Sequence, residues 1–370
     1  MISRLLKTLW QHVRYIPLLS ALTISRGRAF DRRAQAFGGL VGLLVRFFPL
    51  ARRRVEAELR RIYPYIPRRE RLDLCRNMGR NMGRTLYEIL HCSEFQTLHH
   101  RNTVSGPGLA ALQKAHAEGK GAIIVSGHFG QWEAVRSTLK SLGLETGAVY
   151  KPQTNRHYER RLYSGIAAGG KPILATGKIG TRALVRHVQS GGFIAILLDE
   201  KYPDGARLPF LGQPALTALV AAQLAIKYDL PLVPAFGTRT EDGRQFAVEF
   251  DAPIPASDSI TMTQTFNDNL SARILANRFK SMPPAKLSLP DVITMPLTAS
   301  STKASSIWAL SCSRPSKDIT FMVLSATSQV IVATPSASFV SVKSFICISP
   351  SWVFWSGCRT RNFQISSTTF

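Results

Sequence analysis

The segment Gly121-Ala-Ile-Ile-Val-Ser-Gly-His-Phe-Gly-Gln-Trp-Glu133 sets an imidazole and a carboxylate five positions apart, where an apolar run empties into glycines. Those residue types suit a general base and its partner. Residues 122–125 predict a strand buried on both faces, with His128 at its carboxyl end and glycines at 127 and 130 permitting a tight turn. If a helix starts near Gly130, Glu133 lies in its first turn, where the helix dipole favours an acid, and can reach back to one ring nitrogen of His128. That contact would fix the tautomer and leave the other nitrogen to take a proton from a hydroxyl. The same residues also suit a structural turn histidine and a surface glutamate, because His-x4-Glu alone is a weak pattern.

The elements needed to position this pair follow from patterning. Strands are expected at 122–126, 146–151, 193–199, 232–237 and 246–250, with helices between them at 132–142, 156–168, 180–189 and 215–228. Two further helices, 69–90 and 109–118, come first. The alternation predicts an α/β fold with a largely parallel central sheet flanked by helices. Ligands of such sheets sit beyond the carboxyl ends of strands, where both His128 and Asp199 fall. An acid ending the apolar run 193–198 needs a partner or an exposed edge, and pairing of Asp199 with a nearby arginine is expected.

Across 370 residues, 47 Lys and Arg stand against 23 Asp and Glu, a net charge of +24 that draws the chain to phospholipid, lipid phosphates, acidic protein or nucleic acid. Uncharged runs at 15–24 and 34–45 alternate with arginine clusters, Arg26, Arg28, Arg32 and Arg33 between them and Arg52, Arg53 and Arg54 after the second. Neither run reaches the ~18 to 20 residues of a membrane span, so residues 1–60 are read as a membrane-anchoring helical segment lying at the interface. Two amphipathic core helices are the alternative. No cleavable signal peptide is evident. Five cysteines without paired spacing fit a reducing compartment, and no zinc cluster or phosphate-cradling glycine loop is present in the sequence.

Residues 61–277 form the expected catalytic domain. Beyond it, over 278–370, serine rises to about a fifth of residues and acids nearly vanish. This stretch predicts an atypical, weakly ordered tail, and translation out of the ancestral frame would account for it.

Taken together, Ser126-Gly-His-Phe-Gly-Gln-Trp-Glu133, Val149-Tyr-Lys-Pro152 with Asn155, Gly180-Thr-Arg-Ala-Leu184, Leu198-Asp-Glu200, and Leu208-Pro-Phe-Leu-Gly-Gln-Pro-Ala215 with Thr217 carry a resemblance. The chain resembles the bacterial lipid A biosynthesis lauroyl and myristoyl acyltransferases over most of residues 10–277. The resemblance implies a fatty acyl chain taken from acyl carrier protein and esterified to a hydroxyl of a Kdo-bearing lipid A precursor. The enzyme would sit in the bacterial inner membrane, among its phospholipids, with its active site on the cytoplasmic face. His128 would be the base and Glu133 its partner, and the chemistry implies neither metal nor organic cofactor. Lys151, Arg160, Arg161 and Arg182, with Asp199 as an organising acid, would face the phosphorylated acceptor, and residues 209–214 would form a loop over the acyl pocket. Relatives close the domain with a tryptophan- and arginine-rich segment, whereas this chain continues Arg278-Phe-Lys-Ser-Met-Pro-Pro284, so a catalytically impaired member is one alternative. Two others are a glycerophospholipid or lysophospholipid acyltransferase, which normally carries aspartate in place of Glu133, and a basic protein that only coats membranes. No nucleic-acid module is found, and nucleic acid is not an expected partner.

Overall fold

The computed structural model describes residues 27–277, together with Ser20, Thr23 and five short strands between positions 308 and 367. Helices α1 (Phe30–Phe47), α2 (Pro49–Ile62), α3 (Arg68–Leu90), α4 (Cys92–Gln96) and α5 (Gly108–Ala117) come first. The helices α6 (Trp132–Ser141), α7 (Arg156–Gly169), α8 (Lys178–Gln189), α9 (Val220–Tyr228) and α10 (Ser259–Ala276) then alternate with strands. The strands are β1 (Thr103–Ser105), β2 (Ala122–Ser126), β3 (Thr146–Tyr150), β4 (Ile173–Ala175), β5 (Phe193–Leu197), β6 (Ala206–Phe210), β7 (Gln213–Thr217), β8 (Leu232–Arg239) and β9 (Phe246–Phe250).

Seven of them form one sheet in the order β1-β9-β8-β2-β5-β3-β4, parallel except at β8–β9. β2 lies at its centre and is buried throughout. Successive side chains of a strand point to opposite faces, and β2 obeys this: Ala122 and Ile124 join one apolar cluster while Ile123 and Val125 join the other. The expected α/β fold with its mostly parallel sheet is thus observed.

The helix expected at 215–228 begins only at Val220, because residues up to Thr217 belong to β7. The motif read as a loop over the acyl pocket is the antiparallel hairpin β6–β7, in which Pro209 faces Pro214. Proline donates no ladder hydrogen bond and is confined to such edges, while Leu211 and Gly212 turn the chain at φ 51° and 73°. β1 and β4, three residues each, are too short to show a period in the sequence.

In the N-terminal part, most of 15–24 lies outside the described residues, whereas 34–45 lies in α1, which packs against α3. Small residues allow the approach: Gly42 faces Gly79 and Gly38 faces Gly83, so that an added Cβ would strike the opposite helix. The tail at 278–370 also lies outside the described residues, apart from β10 (Trp308–Ser311), β11 (Phe321–Leu324), β12 (Val330–Ala333), β13 (Phe339–Val342) and β14 (Gln364–Ser367). Those strands pair as an antiparallel sheet in the order β13-β12-β11-β10-β14, where sequence patterning predicts no strand series.

Candidate functional site

β2 and β5 are adjacent and parallel, with Ser126 in register with Leu197, and the Leu198 amide donates to the Ser126 carbonyl at 2.9 Å. Both chains therefore leave the sheet side by side, which brings Asp199 against His128. One Asp199 oxygen accepts the His128 backbone N–H at 2.8 Å and the other lies 2.8 Å from Nδ1. A carboxylate only accepts, so Nδ1 carries the hydrogen and Nε2 keeps its lone pair. Asp199 is 1% exposed, whereas the imidazole retains 22% of its side-chain surface. The imidazole is reachable, and its partner is not.

Burial of the imidazole opposes its charge, but the Asp199 carboxylate, the hydrogen bond to it and Glu200 together outweigh that, leaving the His128 pKa above the ordinary histidine value. Trp132, the first residue of α6, lies edge to face with the ring at 4.9 Å between centroids. An imidazole so held can take a proton from a hydroxyl on Nε2 while Asp199 stabilises the cation that forms.

Glu133 does not make the expected contact with the ring. Helix α6 starts at Trp132, and three positions after Glu133 comes Arg136, on the same helix face, which donates from Nη1 to both carboxylate oxygens at 2.9 and 2.7 Å. The pair is almost fully enclosed, at 3% and 2% side-chain exposure. Arg136 also donates to the Thr146, Ile166 and Gly170 carbonyls at 3.1, 3.2 and 2.7 Å, tying α6 to β3 and the end of α7. Sequence proximity suggested Glu133 as the partner; the three-dimensional partner is Asp199, 71 positions away. Asp199 is indeed paired, but the contacts described for it are with His128 where an arginine was expected.

The basic residues divide. Lys151 is exposed just past β3, and Arg182 is exposed near the start of α8, which follows β4. Because β2, β3, β4 and β5 are parallel, both lie toward the same edge of the sheet as His128. Arg160 is exposed on α7. Arg161 instead donates to Nε2 of His91, the residue that ends α3, at 3.0 Å, and burial, followed by Arg161 and Arg33 nearby, outweighs the Tyr87 carbonyl and Glu94 in lowering the His91 pKa. It joins two helices. Trp132 and Arg136 were not anticipated, and the i,i+3 spacing of Glu133 and Arg136 was the available signal for the second.

Breaking a buried ion pair by removing one partner costs ~3 to 5 kcal/mol. Arg136→Met is therefore expected to lower unfolding free energy by about that much in chemical denaturation; a loss below ~1 kcal/mol would show that the pair is not structural.

Comparison with family models matches residues 9–278, most of the chain, to the family described as bacterial lipid A biosynthesis acyltransferase. Among curated proteins, no match was found.

Proposed function

This chain belongs to the bacterial lipid A biosynthesis acyltransferase family and is an acyltransferase, and on that premise we propose that it moves a fatty acyl chain from the thioester of acyl carrier protein to a hydroxyl of a Kdo-lipid A precursor. The observation carrying this reading is the His128–Asp199 pair at the carboxyl end of the central strand, with Nε2 left as acceptor. The acceptor oxygen attacks the thioester carbon as Nε2 takes its proton. The carbon–sulfur bond then breaks, and the leaving thiolate recovers that proton from the imidazolium. A positioned base of this kind contributes ~10²- to 10⁴-fold in rate. Because the donor is already activated, neither metal nor organic cofactor is required.

Asp199 takes the orienting role first assigned to Glu133. Glu133 serves the site through Arg136, by fixing the start of α6. Exposed Lys151, Arg160 and Arg182 suit the phosphates of the acceptor, arginine as a two-bond clamp and lysine as a point charge. Arg161, held by His91, supports the wall between α3 and α7.

The place of action proposed is the cytoplasmic face of the bacterial inner membrane. No single helix among the described residues is long and apolar enough to cross a bilayer, but α1 and α2 together meet the length and composition test and bend by 83° at their junction. That corner exposes Leu40, Leu43, Leu44, Phe47, Phe48 and Leu50, each at least 45% accessible. A contiguous apolar corner on a chain of +24 charge fits insertion among anionic headgroups.

Incubated with acyl carrier protein thioester and a tetra-acylated precursor, the native chain is expected to transfer acyl groups, and His128→Ala to lose ~10²- to 10⁴-fold. Native turnover should rise with pH through a pKa above ~6.5, since the base works only when neutral. Asp199→Asn removes what opposes burial, so its acid limb should move to lower pH while the plateau falls. Equal rates in native and His128→Ala protein would refute the base assignment. In sedimentation with phosphatidylglycerol vesicles, replacing Leu43, Leu44, Phe47 and Phe48 with serine should weaken binding by ~10-fold or more; unchanged binding would refute the corner's role.

A further inference from the structure

The turn that carries His128 is gripped from behind by a buried polar group contributed by α3 and β8. Glu88 accepts hydrogen bonds from Arg239 at both carboxylate oxygens, each at 2.7 Å. One of those oxygens also accepts from the Gln131 side-chain amide at 2.5 Å. The same amide's oxygen accepts the Glu133 backbone N–H at 3.1 Å, capping α6. Alongside, the Thr85 hydroxyl donates to the Gly130 carbonyl at 3.1 Å, and the Gln131 N–H donates to the Gly237 carbonyl at 2.8 Å. Gly130 sits at φ 60°, and a Cβ there would collide with that same Gly237 carbonyl oxygen. Glu88 is 3% exposed, Gln131 0% and Arg239 8%.

A buried ion pair is often no more stabilising than well-packed apolar groups of similar volume. What this one supplies is direction: a charged acceptor that holds one amide in one orientation, with a charge-assisted bond stronger than a neutral one. Gln131 uses both ends of its amide, one on Glu88 and one on the first turn of α6, and it follows His128 by three residues. The chain between them has little room to move.

We infer that Gln131, clamped by Glu88 and Arg239, is a positioning residue that holds the turn so that His128 meets Asp199 and presents Nε2 to the acceptor. The inference rests on the reading of His128 as base. Displacement of a reacting group by ~1 Å costs on the order of 10²-fold in rate, and slack in this turn acts through that displacement.

The test uses the full chain. Gln131→Met keeps length and removes the side-chain hydrogen bonds to Glu88, to the Thr85 carbonyl and from the Glu133 N–H; it should lower acyl transfer ~10- to 100-fold with KM within about 2-fold. Its acid limb should move to lower pH, as in Asp199→Asn, because a loosened ring loses its hold on the carboxylate. In the Asp199→Asn background the same change should cost less than ~3-fold, since coupled residues are non-additive. Thr85→Val, which deletes only the bond to Gly130, should shift the acid limb in the same direction and serves where Gln131→Met folds poorly. Activity retained by His128→Ala overturns the base reading. With His128→Ala inactive, native turnover or an unshifted acid limb in the folded Gln131→Met protein, or in Thr85→Val, overturns this inference alone.

Discussion

Asp199 grips His128 twice, at the backbone amide and at Nδ1, and the proposed chemistry depends on that double contact. A single contact would leave the ring free to turn about its own bond; two from one carboxylate fix both where the residue sits and which nitrogen is bare. The carboxylate itself is sunk below the surface, so it competes poorly for water and acts strongly on the imidazole. Raising basicity has a cost in the fraction of neutral ring at a given pH, and Asp199 sets that balance against burial. Everything else in the sheet serves to bring two strand ends together: the β2–β5 register, the extra bond from Leu198, and the apolar faces of β2 that pin the central strand between two cores.

The helical layer around this centre is organised by polar bonds to backbone as much as by apolar packing. Arg136 spends its guanidinium on Glu133 and three carbonyls, so α6 cannot slide against β3 or α7. Helix α3 reaches in both directions, with Thr85 and Glu88 at the turn that carries His128 and Gly79 and Gly83 against α1. Glycine facing glycine lets two helices approach through backbone contact, the kind of packing that works where little hydrophobic driving force is available. The proposed membrane corner and the proposed active-site turn thus hang on one helix.

Much of this was legible in the chain. The apolar run between Gly121 and Gly127 marked β2 to the residue, the alternating run 246–250 did the same for β9, and the acid after 193–198 marked Asp199 as a group in need of a partner. Its identity was hidden because strand order is not written in local pattern: nothing in the sequence says that β5 lies beside β2, with β3 beyond it. Glu133 was favoured as the near acid, yet Arg136 on the same helix face captured it. The hairpin at 206–217 was missed because two prolines read as loop, although facing each other at a sheet edge they fit a strand pair. The clamp through Glu88 and Arg239 joins positions 151 apart and carries no local signature.

The most direct test of the central claim is nitrogen-15 NMR of the chain labelled at its 8 histidines, with His128 assigned by comparison with His128→Gln. The account predicts a neutral ring protonated at Nδ1, with Nε2 bare, and a titration midpoint above the ordinary ~6.5. A proton resting on Nε2, or a midpoint at or below that value, would contradict it.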